Sequence, residues 1–176
     1  MICENAAKEE VNALFPKFSN QEFARRRKAL EELVERVSAH AVIISGSLAS
    51  VANLYYWTNY LTRSSSFFVA NKDESLVTLL VGSYNHIPTA KAMSIVENVK
   101  WATRSPSEAL VRELRGRRGK GKMKVALIGS LPYEIFEAIR SSSGCEIVDI
   151  TRSANEIRAI KSEEEIKWLK RGGRAH

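Results

Sequence analysis

Apolar residues recur along the chain at two periods, and the change from one period to the other marks out the elements. From Ser19 to about Ala39 they fall at Phe23, Leu30, Leu33, Val34 and Val37. Steps of three and four place them on one face of an amphipathic helix. Ser19, followed three residues later by Glu22, has the spacing of a capping box and predicts where that helix starts. Ala41-Val42-Ile43-Ile44, stopped by Ser45-Gly46, is a short continuous apolar run and predicts a buried strand. Ser66 to Ala70 and Leu76 to Val81 are strand-like runs about the polar Asn71-Lys72-Asp73-Glu74, which predicts a hairpin. A helix is expected over Asn85–Ile95, with Pro88 in its first turn, and a strand over Val96–Ala102. Ser105-Pro106-Ser107-Glu108 predicts a helix start, and Gly116 its end after Arg115. Lys124–Gly129 reads as a strand, Pro132–Ser141 as a helix and Glu146–Asp149 as a last strand. Ser162 and Glu165 cap a terminal helix carrying Ile166 and Leu169. Helices and strands alternate around one hairpin, so the chain is α/β with a mixed sheet.

Length and composition narrow the class. A chain of 176 residues is the size of one domain. With 44% hydrophobic and 27% charged residues it has the make-up of a globular protein. No apolar run approaches the ~20 residues that cross a bilayer, which argues against a membrane partner. The opening MICENAAKEEV has acids where a signal peptide needs basic and apolar residues, so a cytoplasmic location is expected. Cys3 and Cys145 fit free thiols in a reducing compartment, with Cys145 acting as a small core hydrophobe.

The net charge of +7 is concentrated in one place. Arg112, Arg115, Arg117, Arg118, Lys120, Lys122 and Lys124 face a single acid, Glu113, so six of the seven net charges lie between residues 112 and 124. Within this segment Gly116-Arg117-Arg118-Gly119-Lys120-Gly121-Lys122 has the outline of a phosphate-binding loop. It lacks the Ser or Thr that should follow the lysine, and it leads from a helix into a strand, the reverse of what such a loop needs. A module binding an acidic partner or nucleic acid through Arg117, Arg118, Lys120 and Lys122 is the alternative reading. The segment has no aromatic for base stacking, which weighs against nucleic acid. Its three glycines suit a solvated connector instead. Arg171-Gly172-Gly173-Arg174 is a single Arg-Gly-Gly without a surrounding tract.

Other chemistry is sparse. His40, His86 and His176, with only Asp73 and Asp149, are not spaced as metal ligands. His40 ends the first helix, where a cation favours the carbonyl end of the dipole. There is no Gly-x-Ser-x-Gly elbow, and Ser64-Ser65-Ser66 reads as a polar loop entering a strand. No catalytic residue, metal ligand or cofactor site is expected in this chain.

Two stretches carry a resemblance. Asn53-Leu54-Tyr55-Tyr56-Trp57-Thr58-Asn59-Tyr60 resembles the Tyr-Leu-Thr-Gly-Phe-like stretch of the N-terminal domain in the creatinase / aminopeptidase P / prolidase family. Asp149-Ile150-Thr151, with Asn155 to Ile166, resembles that family's interdomain segment, an Ile-Arg-x-Ile-Lys-Ser-x-x-Glu-Ile run. Phe23-Ala24-Arg25-Arg26 and Leu30, leading into Ala41–Ile44, fit the family's first helix and strand. Asn59 stands where the family usually has Gly, and Asn is the residue other than Gly that best tolerates positive φ.

The resemblance implies a mixed sheet with helices on both faces, like a ribonuclease-H motif without its acids. It implies an N-terminal extension over 1–18, the domain proper over 19–161, and the start of an interdomain helix over 162–176. The peptide-cleaving pita-bread domain and its divalent metal pair would come after this chain. The expected role is then non-catalytic: oligomer assembly and substrate gating in a full-length Xaa-Pro peptidase-type metallohydrolase, with its own catalytic domain and further copies as partners. Tyr56, Trp57, Thr58, Asn59, Tyr60 and Arg63 are the implied gating or interface residues, Arg63 as a carboxylate clamp. Packing is the other reading for Tyr55, Tyr56 and Trp57. Arg158, Lys161 and Glu165 mark the interdomain segment.

Overall fold

The computed structural model describes residues 18–72, 76–117 and 122–174. Cys3 and the extension, Asp73 and Glu74 of the hairpin turn, Arg118, Lys120 and His176 lie outside them.

Helix α1 (Asn20–Arg36) starts where the sequence places it, with the Ser19 hydroxyl accepting from the Glu22 N–H. Strand β1 (Ala41–Gly46) is buried along its whole length. A 3-10 turn at Leu48–Ser50 leads into helix α2 (Val51–Thr58), which the apolar pattern does not announce. Strands β2 (Ser66–Asn71) and β3 (Val77–Val81) form the expected hairpin, pairing Phe67 with Leu80 and Ala70 with Val77. The helix expected over 85–95 is divided into a 3-10 turn at Tyr84–His86 and helix α3 (Ile87–Met93), with Pro88 in the first turn. Strand β4 (Val99–Trp101), helix α4 (Pro106–Arg115), strand β5 (Lys124–Ile128), helix α5 (Tyr133–Ser143) and strand β6 (Glu146–Asp149) follow the pattern closely. Helix α6 (Thr151–Ala159) is a second element without a periodic signature, and helix α7 (Glu163–Arg174) ends the described chain.

The six strands lie in the order β4-β3-β2-β1-β5-β6. β1 pairs antiparallel with β2 and parallel with β5, and β3–β4 and β5–β6 are parallel, so the sheet is mixed. Side chains alternate across it with the two-residue period of a strand. Val42, Ile44, Phe68, Leu79 and Ile128 point to one face, beneath Leu30 and Leu33 of α1, Leu54 and Trp57 of α2, Met93 of α3 and Ala154 of α6. Ile43, Phe67, Val69, Leu80 and Val125 point to the other, against Leu110 and Leu114 of α4 and Ile139 of α5. Cys145 is buried in this second layer.

His40 departs from its expected role. Its N–H donates to the Lys124 carbonyl and its Nδ1 accepts from the Lys124 N–H at 3.1 Å, so it extends the β1–β5 pairing. α1 closes instead at Val37, whose N–H bonds the Glu35 carbonyl, with Ser38 at φ 53°.

Candidate functional site

The stripe that α1 turns inward contains a charge. Phe23, Arg26, Leu30 and Leu33 follow at steps of three and four, so Arg26 occupies a core position and is only 2% exposed. A buried cation is tolerated only when paired and hydrogen-bonded. Arg26 Nε donates to Glu22 Oε1 at 2.7 Å, Nη1 to the Tyr56 carbonyl at 2.8 Å and Nη2 to Glu165 Oε1 at 3.1 Å. Its guanidinium carbon lies 4.2 Å from the Phe18 ring centroid and 4.0 Å from that of Tyr56, a cation–π arrangement. Arg25 joins from the half-exposed side, donating to both Glu22 oxygens at 2.9 and 2.7 Å and to the Tyr56 hydroxyl at 3.1 Å. It also pairs with Glu165 Oε2 at 3.6 Å.

Two arginines thus meet two glutamates, and the cluster is neutral by count. Burial pushes the Glu22 carboxyl up, but the hydrogen bonds and charges of Arg25 and Arg26 outweigh it and hold the group at about 2. The Glu22 carboxylate in turn raises Arg25 against the opposing effect of burial. Burial also raises the Tyr56 hydroxyl.

The second carboxylate of the cluster belongs to α7, the helix of the interdomain segment. Ser162 and Glu165 form a complete capping box there: the Glu165 N–H donates to the Ser162 hydroxyl at 3.2 Å, and the Ser162 N–H to Glu165 Oε2 at 2.9 Å. The box at α1 is split. Glu22 is drawn into the arginine cluster, and Glu164 of α7 accepts from the Ser19 N–H at 2.7 Å and the Ser19 hydroxyl at 2.6 Å in its place. Each helix start is therefore completed with help from the other. Arg158 ties the preceding helix in as well, with Nη1 donating to Asn53 Oδ1 of α2 at 2.6 Å. The Lys161 ammonium bonds the Arg158 carbonyl and is exposed. All three expected interdomain residues lie along this seam.

The residues of the 56–60 stretch turn inward. Tyr56, Trp57, Thr58 and Tyr60 are all buried, so within this chain they pack the core. Thr58 Oγ1 donates to the Leu54 carbonyl at 2.6 Å and accepts from the Tyr60 N–H at 3.1 Å. Asn59 ends α2 in the left-handed region at φ 59°, and its Nδ2 donates to the Met93 carbonyl at 3.0 Å. Arg63 is exposed, at a cleft of about 250 Å³ shared with Tyr60, His86 and Thr89.

The basic segment is corrected at one position. Arg117 is not a solvated side chain: it is 3% exposed, pairs with Glu113 Oε2 at 2.8 Å, and donates to Thr78 Oγ1 at 3.0 Å. Lys100 completes the group with a 2.8 Å bond to Glu113. Burial raises the Glu113 carboxyl, but hydrogen bonds from Arg117, Lys100 and Thr78 prevail and hold it at about 2. The segment's charge misled because Glu113, one turn earlier on α4, claims Arg117 at i,i+4. Lys122 is exposed, 3.9 Å from Glu146.

The arginine cluster itself was missed by the sequence reading. Its signal was available: Arg26 sits three residues after Phe23 and four before Leu30, on the apolar stripe, with Glu22 one turn earlier. The described residues contain no group of three or more His, Cys, Asp or Glu able to hold a metal ion, so the metal pair implied by the resemblance finds no ligand set here. No described helix is long and apolar enough to cross a membrane.

Solved structures share the architecture. Prolidase from Pyrococcus furiosus superposes with a TM-score of 0.63 at 22% identity, over 80% of this chain and 40% of its own. The Xaa-Pro dipeptidase from Bacillus anthracis gives 0.68 at 13% identity, over 85% of this chain and 39% of its own. The N-terminal domain of the cytoplasmic peptidase PepQ from Mycobacterium tuberculosis H37Rv gives 0.60 at 14% identity, over 75% of this chain and 97% of that domain. The chain thus spans about two-fifths of the prolidases and nearly all of the isolated N-terminal domain. No curated protein sequence matches it. The creatinase/prolidase N-terminal domain family matches over residues 25–160, a stretch that holds α1 from Arg25 onward, the whole sheet and α6. A match over most of the chain, on the fold those structures share, makes it a member of the creatinase/prolidase N-terminal domain family.

Proposed function

We propose that this chain is the non-catalytic N-terminal domain of an Xaa-Pro peptidase-type metallohydrolase, and that it serves oligomer assembly and substrate gating there. The observation that carries the reading is the seam between α1 and α7. The interdomain segment is bound to the domain through Glu164 and Glu165, with a buried arginine as counter-ion, so whatever follows α7 is held in a fixed direction. Such a seam suits a domain that positions another one. Arg63, exposed beside its cleft, is the residue available to meet a substrate carboxylate, since guanidinium binds carboxylate in a two-pronged geometry. Tyr56, Trp57, Thr58 and Tyr60 contribute by fixing the loop that bears it.

The test has two arms. The purified 176-residue chain is assayed for Xaa-Pro dipeptide hydrolysis with added Mn, Co or Zn, and for bound metal by mass spectrometry. Neither is expected, and metal-dependent hydrolysis would overturn the reading. In a protein that also carries the catalytic domain, Arg63→Ala should raise KM for Xaa-Pro substrates and leave metal content unchanged. An unchanged KM would remove the gating role.

A further inference from the structure

We propose that the cleft between α1 and the β2–β3 hairpin binds a small, uncharged, apolar molecule that carries a carbonyl oxygen. The cleft measures about 340 Å³, at the lower end of the ~300–1,000 Å³ that small-molecule sites occupy. Leu30, Phe68 and Val96 give it apolar walls, and Trp57 completes them. Trp57 is 4% exposed, and its indole Nε1–H has no acceptor among the described residues. Buried indole N–H groups ordinarily find a partner, and leaving a buried donor unpaired is costly. A lone water is a poor substitute, because it needs about two to four polar partners and Leu30, Phe68 and Val96 offer none.

The mouth decides the ligand's charge. Arg27 and Glu97 both border the cleft, so their opposite charges leave it without a net preference for anion or cation. What the site lacks is one acceptor on an otherwise apolar body. A ketone, an ester or a tertiary amide meets that description, and a hydrocarbon or a carboxylate does not.

The experiment compares acetophenone with α-methylstyrene, which replaces the carbonyl oxygen by a methylene of similar shape. Each is titrated into the full chain, and the indole cross-peaks of Trp57, Trp101 and Trp168 are followed in proton–nitrogen correlation spectra. Trp101→Phe and Trp168→Phe variants assign the peaks by elimination. Acetophenone is expected to move the Trp57 peak downfield saturably, to leave the other two in place, and to bind about tenfold more tightly than its isostere, the worth of one hydrogen bond. In Trp57→Phe that preference should disappear. Equal affinity for the two compounds, or no saturable change at Trp57, overturns the proposal. Because the isostere comparison uses the unaltered chain, it decides whether or not the Phe variant folds.

Discussion

Replacing Glu22 with Gln isolates the energetics of the buried seam. The side chain keeps its shape, but Oε1 loses the charge that accepts from Arg25 and Arg26 at 2.7 Å each, and the two guanidiniums are left with Glu165 alone. Two routes give the size of the effect. A carboxyl held at about 2 against an ordinary 4.5 stabilises the fold at neutral pH by up to about 3 kcal/mol, at ~1.4 kcal/mol per tenfold. Breaking a buried ion pair from one side costs about 3–5 kcal/mol, because a charge remains behind without its partner. Both point to a loss near 3 kcal/mol, a large part of the ~5–15 kcal/mol that holds a typical domain together. For a chain of this size the melting temperature should fall by about 6–12 °C. Urea unfolding at pH 7, followed by far-UV circular dichroism, measures the loss directly. Arg26→Met alone and with Glu22→Gln completes a double-mutant cycle, in which the double variant should lose clearly less than the two single losses together. A Glu22→Gln loss below about 1 kcal/mol would equate the seam with an ordinary surface pair and refute the reasoning.

Glu22 and Glu113, both held at about 2, contribute stability that is complete above the ordinary carboxyl value of 4.5 and is lost as pH falls towards 2. Urea midpoints at pH 7, 4 and 3 should decline in that window, and less steeply in Glu113→Gln. Arg117→Ala should lower stability by about 3 kcal/mol in a thermal melt, since it strands the partly buried Glu113; a neutral result would return Arg117 to the solvated connector. Asn59→Ala should cost about 2 kcal/mol, combining a left-handed backbone with the lost bond to the Met93 carbonyl, and Asn59→Gly should cost less. Equal costs for the two would show that the backbone conformation is not what Asn59 supplies.

Most of the architecture was legible because its signals are local. Ser19, Ser105 and Ser162 each announce a helix that begins within a residue of them, and the alternation in β1, β2, β3 and β5 specifies which side chains meet which layer. Helix α2 was not legible. It has eight residues, Ser50 makes no side-chain cap bond, and Tyr55-Tyr56-Trp57 gives aromatic bulk without a period. Helix α6 buries only Ala154 fully, so it has no apolar stripe to read. The candidate site fared worse for a physical reason. Counting charges along the sequence treats Arg26 and Arg117 as members of a basic population, whereas each is fixed by a carboxylate one turn away and by groups 30 to 139 residues distant. The Ile-Arg-x-Ile-Lys-Ser-x-x-Glu-Ile run marked the right segment, and its Glu165 reaches Arg26 only once α1 and α7 are side by side.

The sharing of carboxylates between the first and last helices has a kinetic consequence. Ser19 and Glu164 are 145 residues apart, as far in sequence as almost any described pair can be. Contacts that close so long a loop form after the local ones, because the entropy of closure must be met before they return anything. The seam therefore belongs to the downhill side of the folding barrier. Weakening it should leave the refolding rate nearly unchanged and accelerate unfolding by almost the whole equilibrium loss. In a chevron plot Glu22→Gln would then raise only the unfolding arm. The two split capping boxes act as a latch that sets how long the native domain lasts, and hardly affect how quickly it is reached.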